Sequence, residues 1–257
     1  MDCKKALVET EGDFDKAIDI LRKKGQKLAS SRADRAATEG VVLSTTNDAK
    51  DKAYAVMLNC ETDFVAQNKE VIDFAQSILD EAVKSDCANL DALKEITWGG
   101  RKLEEHITDM VGKTGEKMEL GSYERVAGAS AFAYTHPGNK IAAIAALNKA
   151  DVTDVDTIGK DVVMQIAAMA PVSLDKDSVP QDVIDKEIEI GKDQARQDGK
   201  PEELLEKIAM GKLNKFFKES TLINQEFIKD NKKTVGQVLK AADNELTVVE
   251  FKRLSLV

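Results

Sequence analysis

The sequence predicts an α+β protein with a small N-terminal helical module, two similar hairpin-plus-helix core units and an inserted antiparallel helical hairpin. Three observations carry this. A two-stranded pattern of period two followed by a helix of period 3.6 occurs twice. Both second strands end in Leu-Asn, as Leu58-Asn59 and Leu147-Asn148. A pair of charged helices split by Gly199-Lys200-Pro201 then interrupts the second unit.

Near the N-terminus, Cys3, Ala6 and Leu7 suggest a short helix that opens with no cap before it and ends near Glu11-Gly12. Phe14, Ala17, Ile18 and Leu21 recur at helical spacing behind Asp13, a natural N-cap, and Gly25 follows the last basic turn. Residues 1–25 are read as the helical module, and 26–39, small and polar, as a helical or flexible linker. From Gly40 the period changes: 41–45 and 54–58 flank Asn47-Asp48-Ala49-Lys50 as a hairpin. Val71, Ile72, Ala75, Ile78, Leu79 and Ala82 share one face of a long helix, with Asn68 as its cap. A helix over 103–111 and a strand over 117–126 complete a first core unit, 40–127. The second unit, 128–177 and 220–257, has a hairpin turning at His136-Pro137-Gly138-Asn139 and a helix over 157–169 whose apolar face holds Ile158, Val162, Ile166 and Met169. It also has a Thr234-x-x-Gln237 capping box and a last strand over 247–256. The insertion is 178–219, with Ser178 as cap, Pro180 in the first turn and narrow apolar stripes that fit a projecting arm better than a core helix.

Composition narrows the function. A hydrophobic share of 42% and a charged share of 32% give a buried core and a well-solvated surface. The net charge of −9 argues against wrapping duplex nucleic acid. Cys3, Cys60 and Cys87 are scattered, as free thiols in a reducing compartment are, and no apolar run reaches membrane-spanning length, so the cytosol is expected. Chemistry is scarce. Gly112-Lys113-Thr114-Gly115 lacks the earlier glycine of a phosphate loop, since Ile107 stands there. His106 and His136 have no companion at metal-ligand spacing, and no Gly-x-Ser-x-Gly elbow occurs. No metal, cofactor or covalent chemistry is therefore expected. A chain so built suits holding another macromolecule. An interaction scaffold, or an RNA binder using Lys23, Lys24, Lys27, Arg32 and Arg35, are the other classes it admits.

One junction breaks the pattern. Cys60-Glu61-Thr62-Asp63-Phe64-Val65-Ala66 joins the first hairpin to the long helix, and Phe64-Val65 stands apart from that helix's stripe. Two readings of Phe64 are open. It folds back as a staple under the helix, or it projects and anchors a partner, where an aromatic ring contributes about 1.5–3 kcal/mol by area.

Met1-Asp2-Cys3-Lys4-Lys5-Ala6-Leu7 with Glu11-Gly12-Asp13, and then Asn59 to Ala66, resemble two signatures of the elongation factor Ts family. Tyr134-x-His136-x-Gly138, and Lys233 to Leu239, are similar to later segments of that family, in the same order. The resemblance implies a guanine-nucleotide exchange factor that binds the GTPase EF-Tu and is not itself an enzyme. It implies a ubiquitin-associated (UBA)-like N-terminal module and a coiled-coil arm. It implies that Thr62, Asp63, Phe64 and Val65 wedge into the GTPase domain and disturb its Mg²⁺ site, which loosens GDP. Further partner contacts implied are Met1, Asp2, Lys4, Val111, Gly112, His136, Gly138, Phe227 and Ile228; a solvated helix face at Lys4 and a plain turn at His136 are the structural alternatives. A second copy, meeting through the arm, is the other partner expected; membrane and nucleic acid are not. Family members usually carry a helix before the Met-Asp-Cys run, so the module here is read as truncated, with less surface to bury.

Overall fold

The computed structural model describes residues 2–256. It begins with α1 (Asp2–Glu9) and α2 (Phe14–Arg32), joined by a turn in which Asp13 accepts the Lys16 N–H and caps α2. Gly25 does not end this helix, contrary to the expectation from sequence, and half of the expected linker is helical. The reason lies elsewhere in the chain. A Cβ at Gly25 would stand 3.2 Å from the Thr108 carbonyl oxygen and 3.6 Å from the Gly112 Cα. The glycine serves a close crossing of two helices, whose separation depends on side-chain size at the contact.

The hairpin of β1 (Glu39–Thr46) and β2 (Lys52–Cys60) comes next, then a single-turn helix α3 (Asp63–Ala66) and the long α4 (Lys69–Ser85). Asn68 caps α4 through the Glu70 N–H, and α4 buries Val71, Ala75, Ile78, Leu79 and Ala82. α5 (Leu90–Lys94), the small hairpin of β3 (Thr97–Trp98) and β4 (Arg101–Lys102), and α6 (Leu103–Thr114) lead to β5 (Met118–Ala127). Gly112-Lys113-Thr114 is the end of α6, closed by Gly115 in the left-handed conformation, so that run is a helix terminus.

The second hairpin is β6 (Ser130–Thr135) and β7 (Ile141–Leu147), followed by α7 (Val155–Met169). α8 (Gln181–Gln197) and α9 (Glu202–Ser220) pack as an antiparallel pair in which Gly191 lies against Ala209 and Lys192 pairs with Glu206. Ser178 does not cap α8: it closes a short 3₁₀ turn capped by Asp175, and Pro180 takes the cap position. The hairpin of β8 (Glu226–Phe227) and β9 (Asp230–Thr234), then α10 (Val235–Ala242) and β10 (Val248–Ser255), complete the chain, and α10 opens with the expected Thr234–Gln237 capping box.

The large strands form two antiparallel sheets of one order. β1-β2-β5 and β6-β7-β10 each set a hairpin beside a returning strand. Alternation along each strand divides its residues between two faces. Tyr54, Val56 and Leu58 of β2 meet α4 and α6, and Ala143, Ala145 and Leu147 of β7 meet α7 and α10. Val42, Ala53, Ala55, Ala131, Ala142, Ile144 and Ala146 meet one another between the sheets. The result is four layers: helices, sheet, sheet, helices. Burial on both faces explains why β7 reads Ile-Ala-Ala-Ile-Ala-Ala-Leu, with Ala142 to Leu147 all fully buried. Cross-sheet ties pin the register: the Val42 N–H donates to the Asn139 carbonyl at 2.7 Å, and the Ser44 N–H to Thr135 Oγ1 at 2.9 Å.

The α8–α9 pair is fastened to the rest of the chain by two buried amides, Gln165 and Gln225. Gln225 donates to the carbonyls of Met169 and Glu219, at the ends of α7 and α9. Gln165 donates to Gln225 Oε1 and the Glu226 carbonyl, and accepts the Ile228 N–H. Both side chains are thereby satisfied, as buried polar groups must be. No helix among the described residues is long and apolar enough to cross a membrane.

An alanine-filled seam leaves little spare volume. Ala142→Leu at that seam is expected to lower stability by about 1–3 kcal/mol through overpacking. Thermal unfolding would show this as a fall of roughly 2–4 °C per kcal/mol, and an unchanged midpoint would show that the sheets do not meet tightly there.

Candidate functional site

β2 ends at Cys60, whose partner in the sheet register is Glu39. The Cys60 thiol is fully buried and donates to the Thr62 carbonyl at 3.2 Å. Burial, and then the nearby Glu116 carboxylate, push its pKa up to about 11, so it is an inert structural thiol. Thr62 caps α3 by accepting the Val65 N–H, and it is itself gripped twice by Glu116. Its N–H donates to Oε2 at 3.0 Å and its hydroxyl to Oε1 at 2.6 Å. Beside it, Glu61 Oε1 accepts the Lys117 N–H at 2.6 Å and the Arg32 guanidinium at 2.8 Å, while Oε2 accepts from Arg35 at 3.3 Å. The Lys117 N–H and then Arg32 hold the Glu61 carboxyl below the usual glutamate range.

The α3 segment is a single helical turn with two inward and two outward residues. Val65 packs against the first core and Ala66 is buried. Asp63 is exposed, and its carboxylate makes no side-chain hydrogen bond or ion pair among the described residues. Phe64 is 84% exposed, more than any other large apolar side chain described. The staple reading of Phe64 is thus excluded. The turn cannot simply rotate the ring inward, because Val65, Ala66 and the capping Thr62 already fix its phase.

The remaining expected contacts are distributed. Met1 lies outside the described residues. Asp2 is on α1 and pairs with Lys24 at 2.6 Å, which holds its carboxyl low, and Lys4 is exposed. His136 and Gly138 are exposed on the second hairpin's turn, with the Tyr134 hydroxyl 2.9 Å from His136 Nδ1. That turn is tied to the end of β1 nearest the junction: Lys140 pairs at 3.0 Å with Glu39, the residue opposite Cys60. Ile228 is 43% exposed beside α7, behind the other sheet. Two residues differ from expectation. Val111 is 3% exposed in the first core and Phe227 7% in the second, so neither side chain is free to meet a partner. Gly112 is open on one side only, its Cα lying against Gly25 on the other.

Sequence reasoning missed Glu116 and the roles of Glu61, Arg32 and Arg35. Glu61 lies within the Asn59–Ala66 motif, but its partners are 29, 26 and 56 residues away, beyond any local periodicity. Among the described residues no group of three or more His, Cys, Asp or Glu side chains could hold a metal ion.

The Glu61 contacts predict a titration. A carboxylate with a lowered folded-state pKa contributes stability that is complete above the unfolded value of about 4.5 and is lost as pH falls through the folded value. Carboxyl ¹³C shifts should therefore give Glu61 a midpoint below 4.5, and Arg32→Ala should move it up. A midpoint at or above 4.5 in the wild type would contradict the contact.

Residues 61–256 match the family model described as elongation factor TS. Elongation factor Ts of Porphyromonas gingivalis is 49% identical over 257 residues, an alignment covering 100% of this chain and 92% of that protein. The protein of the same name from Amoebophilus asiaticus is 49% identical over 254 residues, covering 99% and 92%. That of Christiangramia forsetii is 46% identical over 256 residues, covering 100% and 92%. With a family model spanning more than half of its length and relatives this similar from end to end, this chain belongs to the elongation factor Ts family of translation elongation factors.

Proposed function

We propose that this chain binds EF-Tu·GDP and speeds GDP release by inserting the Thr62–Val65 turn beside the partner's Mg²⁺ site. The observation that carries the reading is the 84% exposed Phe64 ring on a turn whose flanking groups are fastened inward. An exposed aromatic on a rigid mount is an interface anchor: it gains area on binding and loses little freedom. Asp63, free of internal side-chain partners among the described residues, supplies a negative charge next to the ring. A displaced Mg²⁺ removes the largest charge holding the diphosphate. By thermodynamic reciprocity, a factor that weakens GDP binding is itself weakened by GDP to the same degree, so a returning nucleotide releases it. No covalent step is needed.

Around this centre, Asp2, Lys4, Gly112, His136, Gly138 and Ile228 remain as outer contacts, with Val111 and Phe227 supporting from within. α1 and α2 are read as the UBA-like module, 40–127 and 128–177 with 220–257 as the two core units, and α8–α9 as a coiled-coil arm offered to a second copy. The cytoplasm is the setting. RNA binding is disfavoured, because Arg32 and Arg35 are engaged by Glu61 and Lys24 by Asp2.

Because Phe64 buries little within its own chain, Phe64→Ala should change folding stability by no more than ~0.5 kcal/mol and yet lose most of the stimulation. Stopped-flow release of fluorescent GDP from EF-Tu checks this. Wild-type release rates with the folded variant would overturn the wedge assignment.

A further inference from the structure

α2 is a long helix that packs along α6. Of its own residues only Ala17 and Gly25 are buried, while Leu28 and Ala29 pack partly against the first core. The contact of Gly25 with Gly112 is backbone against backbone, with no interlocking side chains at that point. Such a crossing brings the two helix axes close together, and α2 packs along α6 on either side of it. About 10 Å further along, seven residues at the helical rise, Arg32 and then Arg35 reach Glu61. The end of α2 is thus tied directly to the junction, in addition to its packing on α6.

The second attachment is well made. The Glu61 side chain is 12% exposed and Arg32 26%, so this pair is drier than a surface ion pair and correspondingly stronger. Arg35, 60% exposed, adds less as a charge, but its carbonyl accepts the Lys117 ammonium at 3.1 Å, while the Lys117 N–H is bound by Glu61. The contacts close a ring: α2 end, Glu61, start of β5, α2 end. Glu61 is also three residues before Phe64 and adjacent to the capping Thr62. The residue that holds the end of α2 is therefore part of the strand–helix junction itself.

We infer that Glu61 is a positioning residue, which locks the N-terminal helices to the Phe64 turn so that both meet the GTPase as one rigid body. The inference rests on the functional reading above and adds a division of labour to it. The grip of Glu116 on Thr62 holds the wedge, and the Arg32–Glu61–Arg35 cluster holds the module at the angle at which its contacts line up with the wedge. Two linked contact surfaces held in register bind as one site, and a loosened link costs affinity while each surface stays intact.

The test separates affinity from maximal effect. GDP release is measured over a range of factor concentrations for wild type and for Arg32→Ala/Arg35→Ala. The expected result is a roughly tenfold rise in half-saturating concentration with the maximal release rate retained, a split that lost stability alone would not produce well below the melting temperature. Arg32→Lys should recover part of the affinity, and Arg32→Ala with Glu61→Gln should be no worse than the more severe single variant. Hydrogen exchange on free Glu61→Gln should quicken over residues 28–36 and stay unchanged in α4, a readout independent of EF-Tu. An unchanged half-saturating concentration, additive losses, or unchanged exchange over 28–36 would overturn the inference while leaving the wedge in place. A wild-type chain that fails to speed GDP release at all would instead overturn the functional reading beneath it.

Discussion

An aromatic ring held in water is the constraint around which the junction is organised. A phenylalanine left 84% exposed forgoes about 1.5–3 kcal/mol of burial, and a mobile loop would recover part of it by folding the ring onto the nearest apolar surface. Here the recovery is blocked by bonds that bracket the ring. Thr62 caps the turn and is gripped by Glu116, Glu61 is tied to Lys117 and Arg32, and Val65 and Ala66 occupy the inward phase of the turn. The ring stays out because turning it in breaks charge-assisted hydrogen bonds in a partly dry setting. That is the preorganisation an anchor needs before it meets a pocket.

Such a mount needs a stiff base, and the four-layer body supplies it. Alanines on the facing sides of the two sheets let them approach closely, and the outer faces carry the larger residues against the helices. The seam also relates the two exposed turns. β1 lies beside Cys60 and is hydrogen-bonded to the second hairpin's turn, so His136 and Phe64 are carried by one framework and not by separate loops. The buried Gln165–Gln225 pair likewise joins elements distant in sequence, α7 and the end of α9, through fully satisfied polar groups.

Much of this architecture is legible in the residues. The hairpins, α4 with its Asn68 cap, α7, the helical pair and the Thr234 capping box all arise from periodicity and local capping chemistry, which act over three or four residues. The hidden part depends on contacts across the chain. Gly25 looks like a stop in the sequence and is a helix crossing, because only Gly112 opposite it explains the missing side chain. Val111 and Phe227 look available and are core, since burial is decided by which element lands on them. Phe64 is ambiguous in the sequence for a related reason: whether a junction aromatic turns in or out depends on Glu116 and Lys117, more than 50 residues away. β3, β4 and β8 carry only two residues each, too few for a period to show, and β9, Asp-Asn-Lys-Lys-Thr, has no apolar residue to mark one.

The central claim is positional: the side chain at 64 enters the GTPase next to its nucleotide. The most direct measurement replaces Phe64 with the photo-crosslinking residue p-benzoylphenylalanine, irradiates the complex with EF-Tu and maps the adduct by mass spectrometry. The account predicts one dominant adduct in the GTPase domain beside the Mg²⁺ and phosphate site, diminished by excess GDP. An adduct mapping to another surface, or none from a folded chain that still binds EF-Tu, would contradict it.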